Sequence, residues 1–273
     1  MLLRVRCPAK VNLFLSVGPK DARNYHPLRT IFQAIELSDT LLIRDGEDRH
    51  VVDCDDPEVP DDNTVTKALR LLSEVLPLPR LHVTIEKRIP AESGLGGGSS
   101  NAAGMIRAAQ RIAGLTIPDG ELKGIAEAIG MDVPFFLLGG QARAEGYGER
   151  LTALPDPEPV WLAVARPSVG CKTAQAYARL DAINRDWRPF SEEDVLYNDF
   201  ERVAPTECTK FIEKMGELGA RDAALTGSGS AVFGRFDSGD AAKTAAERLE
   251  DDCQARTWVT RYLGRSESLR IDE

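Results

Sequence analysis

From Val5 to Val17 apolar and polar residues alternate. Val5, Cys7, Ala9, Val11, Leu13, Leu15 and Val17 share one face of a strand, while Lys10, Asn12 and Ser16 share the other with Phe14. Strand-like runs follow at 31–37 and 41–44. Residues 55–63 are rich in acids and prolines and predict a loop, and helical spacing sets in over about 64–75. Leu81, Val83 and Ile85 then alternate with His82, Thr84 and Glu86, the pattern of a half-buried strand. Ala102, Ile106, Ala109 and Ala113 recur at helical spacing, and Gly114 suits the helix stop. A second amphipathic helix over 121–129 ends at Gly130.

The stretch Leu154-Pro155-Asp156-Pro157-Glu158-Pro159 is the best linker candidate. It divides the chain into an expected N-terminal lobe, 1–155, and a C-terminal lobe, 156–264, with 265–273 as an exposed polar tail. The second half predicts strand 160–165, helix 206–217, strands 223–226 and 231–236, helix 240–250 and strand 257–263. That order suits an α+β sandwich of the ferredoxin-like kind.

Composition narrows the function classes. The chain has 273 residues, 42% hydrophobic and 28% charged, as an ordinary globular protein does. A net charge of −9 argues against non-specific nucleic-acid binding. Five scattered cysteines without a C-x-x-C pair indicate neither a disulfide framework nor a zinc site, and three dispersed histidines suggest no metal cluster. The N-terminus lacks a long apolar segment, and no apolar run of about 18 residues occurs. The expectation is a cytoplasmic protein with no nucleic-acid or membrane partner.

The most informative stretch is Gly94-Leu95-Gly96-Gly97-Gly98-Ser99-Ser100, between the 81–86 strand and the helix after it. Glycine lets the backbone approach a ligand, and a helix N-terminus favours anions, so a nucleotide polyphosphate is expected here. The loop is neither a P-loop nor a strict G-x-G-x-x-G. A flexible loop with a helix cap would use the same residues.

Other candidates carry two readings each. Lys10 and Asn12 point the same way from their strand, where a lysine is more often simply solvated. Asp132, in Gly130-Met131-Asp132-Val133-Pro134, is placed to cap the next short helix. Set among Val, Phe and Leu, its carboxylate is also a candidate for a raised pKa and a general base. Tyr25-His26 could stack on and hydrogen-bond to a planar base, or form a plain surface turn. Gly227-Ser228-Gly229 predicts a tight hairpin, or a second set of backbone donors facing the first loop.

Together these segments resemble the small-molecule kinase superfamily of galactokinase, homoserine kinase, mevalonate kinase and phosphomevalonate kinase. Pro8-Ala9-Lys10-Val11-Asn12-Leu13, the 90–103 loop and the 225–231 loop look like its three motifs, in its order. The triple glycine, Arg23-Asn24-Tyr25-His26, Pro60 to Val65, the Asp132 segment and Tyr197 to Glu201 resemble one branch. That branch phosphorylates a cytidine diphosphate-linked methylerythritol in the non-mevalonate isoprenoid route. Two departures stand out. Asn24 replaces a glycine, a change the turn should tolerate because Asn adopts positive φ. Glu92-Ser93 replaces smaller residues and brings an acid beside the phosphates.

The resemblance implies a two-lobed α+β kinase fold. Its N-terminal lobe would be like ribosomal protein S5 domain 2 and its C-terminal lobe ferredoxin-like. It implies ATP and Mg²⁺ as cofactors and a small-molecule substrate carrying a cytidine diphosphate group. A monomer or weak homodimer is expected. Lys10 and Asp132 would be catalytic. Gly94, Leu95, Gly96, Gly97, Gly98, Ser99 and Ser100 would cradle phosphates, with Asn63 and Lys87 on the adenine side. Asn12 would orient the acceptor hydroxyl. Tyr25 and Tyr177 would sandwich the cytosine, with His26 on its polar edge. Thr173, Gly227 and Gly229 would meet the substrate's diphosphate or hydroxyls. Sibling kinases have no cytosine to stack, so Tyr25, His26 and Tyr177 separate this branch from them.

Overall fold

The alternation at the N-terminus builds one long strand, β1 (Leu2–Val17), antiparallel to an equally extended β2 (Leu28–Asp45). The computed structural model describes residues 2–46, 48–190 and 195–272. The runs 31–37 and 41–44, expected as separate strands, are one. A register shift at Pro8/Ala9 absorbs the polar break opposite Ser38 without ending the ladder. Asp39 in that break turns its carboxylate inward, where it accepts the amides of Arg88 and Ile89 at 2.8 Å each.

The chain continues through β3 (Val51–Cys54), α1 (Thr64–Val75), β4 (Leu81–Glu86), α2 (Gly97–Ala113), α3 (Asp119–Ile129) and α4 (Val133–Leu138). Next come β5 (Gln141–Glu145), β6 (Arg150–Ala153), β7 (Trp161–Arg166), α5 (Thr173–Asp181) and the short β8 (Tyr197–Asn198). After a 3₁₀ turn over Asp199–Val203, α6 (Thr206–Glu217), β9 (Asp222–Leu225), β10 (Val232–Phe236), α7 (Gly239–Cys253) and β11 (Arg256–Arg261) follow. The last described elements are α8 (Arg265–Ser268) and β12 (Ile271–Asp272).

Among the described residues the strands form two sheets. The larger runs β12-β1-β2-β4-β3, with the β5–β6 hairpin added to β2 and β8 added to β1. The smaller is antiparallel in the order β11-β7-β10-β9, and α6 and α7 pack on it, the ferredoxin-like arrangement. The two faces of β7 explain how the sheets meet. Leu162 and Val164 join a core with Ala9, Val11, Leu13 and Ile35 of the larger sheet, whereas Ala163 faces Ala242, Ala245 and Ala246 of α7.

The one apolar face of β1 therefore serves three cores. Val5 and Cys7 pack with α1, α2 and α4; Ala9, Val11 and Leu13 pack against the smaller sheet; Leu15 and Val17 pack toward α5 and α6. The polar face is covered too: Lys10 is 3% exposed and Asn12 2%. The solvated strand face that a lysine usually signals is not what this lysine occupies.

Residues after Gly264, expected as an exposed tail, fold back onto the larger sheet. Ile271 and Asp272 pair with Val5 and Arg4, and the buried Ser268 hydroxyl accepts the Gly140 amide at 3.0 Å. The open edge of β1 offers unpaired backbone groups, and a short polar segment can satisfy them as well as an apolar one. No helix among the described residues is long and apolar enough to cross a membrane.

Close packing of α2 on β1 generates a first prediction. A Cβ on Gly104 would stand 2.4 Å from Cys7 Sγ and 3.4 Å from Leu41 Cδ1. Gly104→Ala should lower unfolding stability by about 1–3 kcal/mol, the usual cost of overpacking. Cys7→Ala in the same chain removes the clashing sulfur and should recover part of that loss. Urea denaturation of the single and double variants checks both.

Candidate active site

The β4–α2 connection delivers the glycine loop to the wall of a cleft of about 1190 Å³. Gly94 and Gly96 hold φ of +82° and +77°, a region glycine enters without strain. A Cβ on Gly94 would lie 2.1 Å from the Thr226 carbonyl oxygen, so the loop after β9 rests directly on the first loop. Ala231 N–H donates to Ser93 O at 3.1 Å across the same contact. The second glycine loop is thus both the β9–β10 hairpin and a surface facing the first loop.

At the start of α2 the earliest intrahelical bond runs from Ser100 N–H to Gly96 O, at 2.9 Å. The amides of Gly97, Gly98 and Ser99 precede it and have no acceptor inside the helix. All three residues line the cleft. The positive end of a 17-residue helix points at the same place.

Lys10 projects from β1 beneath this loop. Its Nζ donates to Asn12 Oδ1 at 2.7 Å and stands 3.9 Å from an Asp132 carboxylate oxygen. Burial pushes the Lys10 ammonium pKa down, and the Asp132 charge opposes that shift. Asn12 Oδ1 also accepts the Gly227 amide at 2.8 Å, while Nδ2 donates to Thr30 Oγ1 at 2.7 Å. Asn12 is therefore bound chiefly to protein; its second Nδ2 hydrogen is what it offers the cleft. Asp132 occupies the position before α4, yet its side chain makes no capping bond. Its side chain is 34% exposed rather than enclosed by the neighbouring Val and Phe, and its carboxylate turns to Lys10.

The far end of the cleft is aromatic. Tyr25 is 64% exposed on a loop built by Asp21, whose Oδ1 accepts the amides of Arg23 at 2.9 Å and Tyr25 at 3.2 Å. Asn24 takes φ of +66° there, so it serves the turn in place of glycine. Tyr147, from the β5–β6 hairpin, donates its hydroxyl to Asp21 and sets its ring 5.6 Å from that of Tyr25. His26 is buried and stacks on Tyr177, centroids 4.7 Å apart at 24°. Burial pushes the Tyr177 phenol up to about 12. His26 covers one face of Tyr177, so a base sandwiched between Tyr25 and Tyr177 would have to take the other face. The open stacking surface is Tyr25, beside Tyr147.

Several expected contacts lie elsewhere. Leu95 and Ser100 are fully buried behind the loop; the Leu95 carbonyl accepts the Lys10 amide at 2.9 Å, and the Ser100 hydroxyl faces the interior. Gly229 packs on Leu225 and Cys171 rather than on the cleft. Lys87 and Asn63 line the cleft, but their polar groups serve the protein. The Lys87 ammonium pairs with buried Asp39. Asn63 caps α1, its Oδ1 accepting from Val65 N–H at 2.9 Å and Thr66 N–H at 3.2 Å. Thr173 Oγ1 meets Ser228 Oγ at 3.0 Å on the cleft wall. The sequence reading missed Thr30, Asp39, Tyr147, Asp181 and Thr226. A signal existed for two: Thr226 directly precedes Gly227, and Asp181 lies one helical turn after Tyr177.

Comparison with known proteins agrees with this geometry. Residues 63–140 match the GHMP kinases N terminal domain, and residues 179–255 match the GHMP kinases C terminal domain. The chain is 37% identical to the 4-diphosphocytidyl-2-C-methyl-D-erythritol kinase of Geobacter sulfurreducens, covering 94% of this chain and 96% of that one. It is 32% identical to the enzyme of that name from Symbiobacterium thermophilum, over 96% and 100% of the two chains. A crystal structure of 4-(cytidine 5'-diphospho)-2C-methyl-D-erythritol kinase superposes with a TM-score of 0.84 at 33% identity, over 96% of this chain and 99% of that one. Homoserine kinase from Cytophaga hutchinsonii shares the fold, with a TM-score of 0.72 at 18% identity over 99% and 97%. With both halves of the fold, the paired glycine loops and the Lys10–Asp132 pair in place, the chain belongs to the 4-diphosphocytidyl-2-C-methyl-D-erythritol kinase family of the GHMP kinases.

Proposed function

We propose that this cleft transfers the γ-phosphoryl group of ATP to the 2-hydroxyl of 4-diphosphocytidyl-2-C-methyl-D-erythritol. The products are ADP and the 2-phosphate, in non-mevalonate isoprenoid precursor synthesis. The observation that carries this reading is the Lys10–Asp132 pair, 3.9 Å apart, in one cleft with the glycine loop and the aromatic loop. The protein's relatives bear the name of that activity.

Phosphoryl transfer asks mainly for positioning and for charge stabilisation. The α2 N-terminus supplies unpaired amides for the phosphates. Asp132 accepts the hydroxyl proton as general base. Lys10 stands beside it and offsets charge on the transferring group. Asn12 holds the ammonium in place from the other side. Glu92 and Asp132 are carboxylates and Ser99 a hydroxyl on the cleft wall, and among the described residues no three acidic, histidine or cysteine side chains gather into a metal-binding cluster. Mg²⁺ binds through one or two carboxylates together with substrate phosphates, so one of these carboxylates beside a bound triphosphate would hold it. Bound there, Mg²⁺ would neutralise phosphate charge. Tyr25 provides the open face for the cytosine.

Asp132→Asn should lower kcat by at least about 100-fold, the lower end of a general base's contribution. ATP affinity should stay near that of wild type in a fluorescent-nucleotide titration. Wild-type kcat in that variant would remove Asp132 from the base role. Tyr25→Ala should raise KM for the cytidine substrate by about tenfold, within the roughly 1–3 kcal/mol of a base stack. Its KM for ATP should not move; steady-state kinetics with each substrate varied would decide.

The sign of the Lys10 shift sets a pH dependence. Its folded pKa lies below the unfolded one, so the folded state releases this proton first as pH rises. Lys10's burial penalty on stability therefore shrinks from the folded pKa upward, and the catalytic charge disappears over the same window. The alkaline limb of kcat/KM should fall below the usual lysine range. A limb at the ordinary lysine position would exclude Lys10 as its source.

A further inference from the structure

Thr173, Tyr177 and Asp181 are spaced four residues apart on α5, so one face of that helix carries all three. Tyr177 stacks on His26, and Asp181 Oδ1 lies 2.7 Å from His26 Nε2. The other Asp181 oxygen holds the Lys20 ammonium at 2.8 Å. One helix thus fixes both the plane of the His26 ring and its rotation within that plane.

An imidazole held this way is polarised in one sense. A carboxylate only accepts, so Nε2 carries the hydrogen, and in the neutral ring Nδ1 is left as an acceptor. Nδ1 has no partner among the described residues, and it is not among the buried polar atoms that lack one. Solvent therefore reaches it, on a ring that lines the cleft.

We propose that Asp181 is a positioning residue that sets the His26 tautomer, so that Nδ1 accepts a hydrogen bond from the exocyclic amine of cytosine and disfavours uracil. This rests on the cytidine substrate proposed above. Cytosine presents an N4 amino donor where uracil presents a carbonyl oxygen. Uracil would set two acceptors face to face, and a site built around one hydrogen bond rejects the analogue that cannot make it. Lys20 balances the charge of Asp181, so the carboxylate stays in place to hold the ring. Tyr25 gives affinity without telling the bases apart, since every base has a stacking face.

The test compares kcat/KM for the cytidine substrate and its uridine counterpart, using the full chain. Wild type should prefer cytidine. Asp181→Ala should shrink that preference by about tenfold, the worth of one well-placed hydrogen bond. Asp181→Asn keeps an acceptor oxygen and should retain most of the preference, which a merely structural loss would not predict. Nitrogen-15 spectra of histidine should show His26 with Nδ1 unprotonated in wild type and a tautomer mixture in Asp181→Ala. An unchanged preference in Asp181→Ala, or a wild-type ring carrying a proton on Nδ1, whether neutral or as the imidazolium, overturns the inference alone. Wild-type turnover of neither substrate overturns the cytidine assignment and this inference with it.

Discussion

One buried ammonium organises this molecule. Lys10 lies on a strand covered on both faces, and a charge taken from water there must be paired and hydrogen-bonded. Its partners come from three separate parts of the chain. Asn12 lies on the same strand, Asp132 stands at the start of α4, and through Asn12 the Gly227 amide of the β9–β10 loop is tied in. Satisfying the lysine therefore fixes the two glycine loops and the helix bearing Asp132 relative to one another. The group proposed to stabilise the reaction is also the group the fold has to accommodate.

The two glycine loops show why small residues are needed away from the ligand as well as beside it. Gly94 approaches the Thr226 carbonyl so closely that a methyl group would collide with it. The contact brings the ferredoxin-like sheet against the first glycine loop. A change in the smaller sheet can in this way reach the proposed phosphate cradle without touching it. At the other end of the cleft, α5 does comparable work. It holds His26 by stacking and by the Asp181 carboxylate, while Tyr25 stays exposed.

Much of the fold was legible in sequence because its periodicities are local. The helix over Thr64–Val75 and the strand over Leu81–Glu86 follow from patterns within a dozen residues. So do the helix stop at Gly114, which holds φ of +64°, and the turn at Asn24. The strands that escaped were those whose stability comes from pairing. β3, β5, β6 and β8 are short, and β12 is set on β1 by an edge that needed a partner. The break at Ser38–Asp39 looked like a strand end. Whether a bulge carries a ladder through such a break depends on the opposite strand, which a linear pattern does not contain.

The site divides along the same line. The sequence by itself determined the chemical types present: a glycine loop opening a helix, a lysine and an asparagine two residues apart, an aspartate before a short helix, and an aromatic beside a histidine. Those follow from spacing along one chain. Only the tertiary structure decided which of them have polar groups left for a ligand. Lys87 is claimed by Asp39, Asn63 by the amides of α1, most of Asn12 by Lys10, Gly227 and Thr30, and a face of Tyr177 by His26. A side chain's freedom depends on what lies opposite it once remote segments meet, because hydrogen bonds and ring contacts act over a few ångströms of space, whatever the separation in sequence.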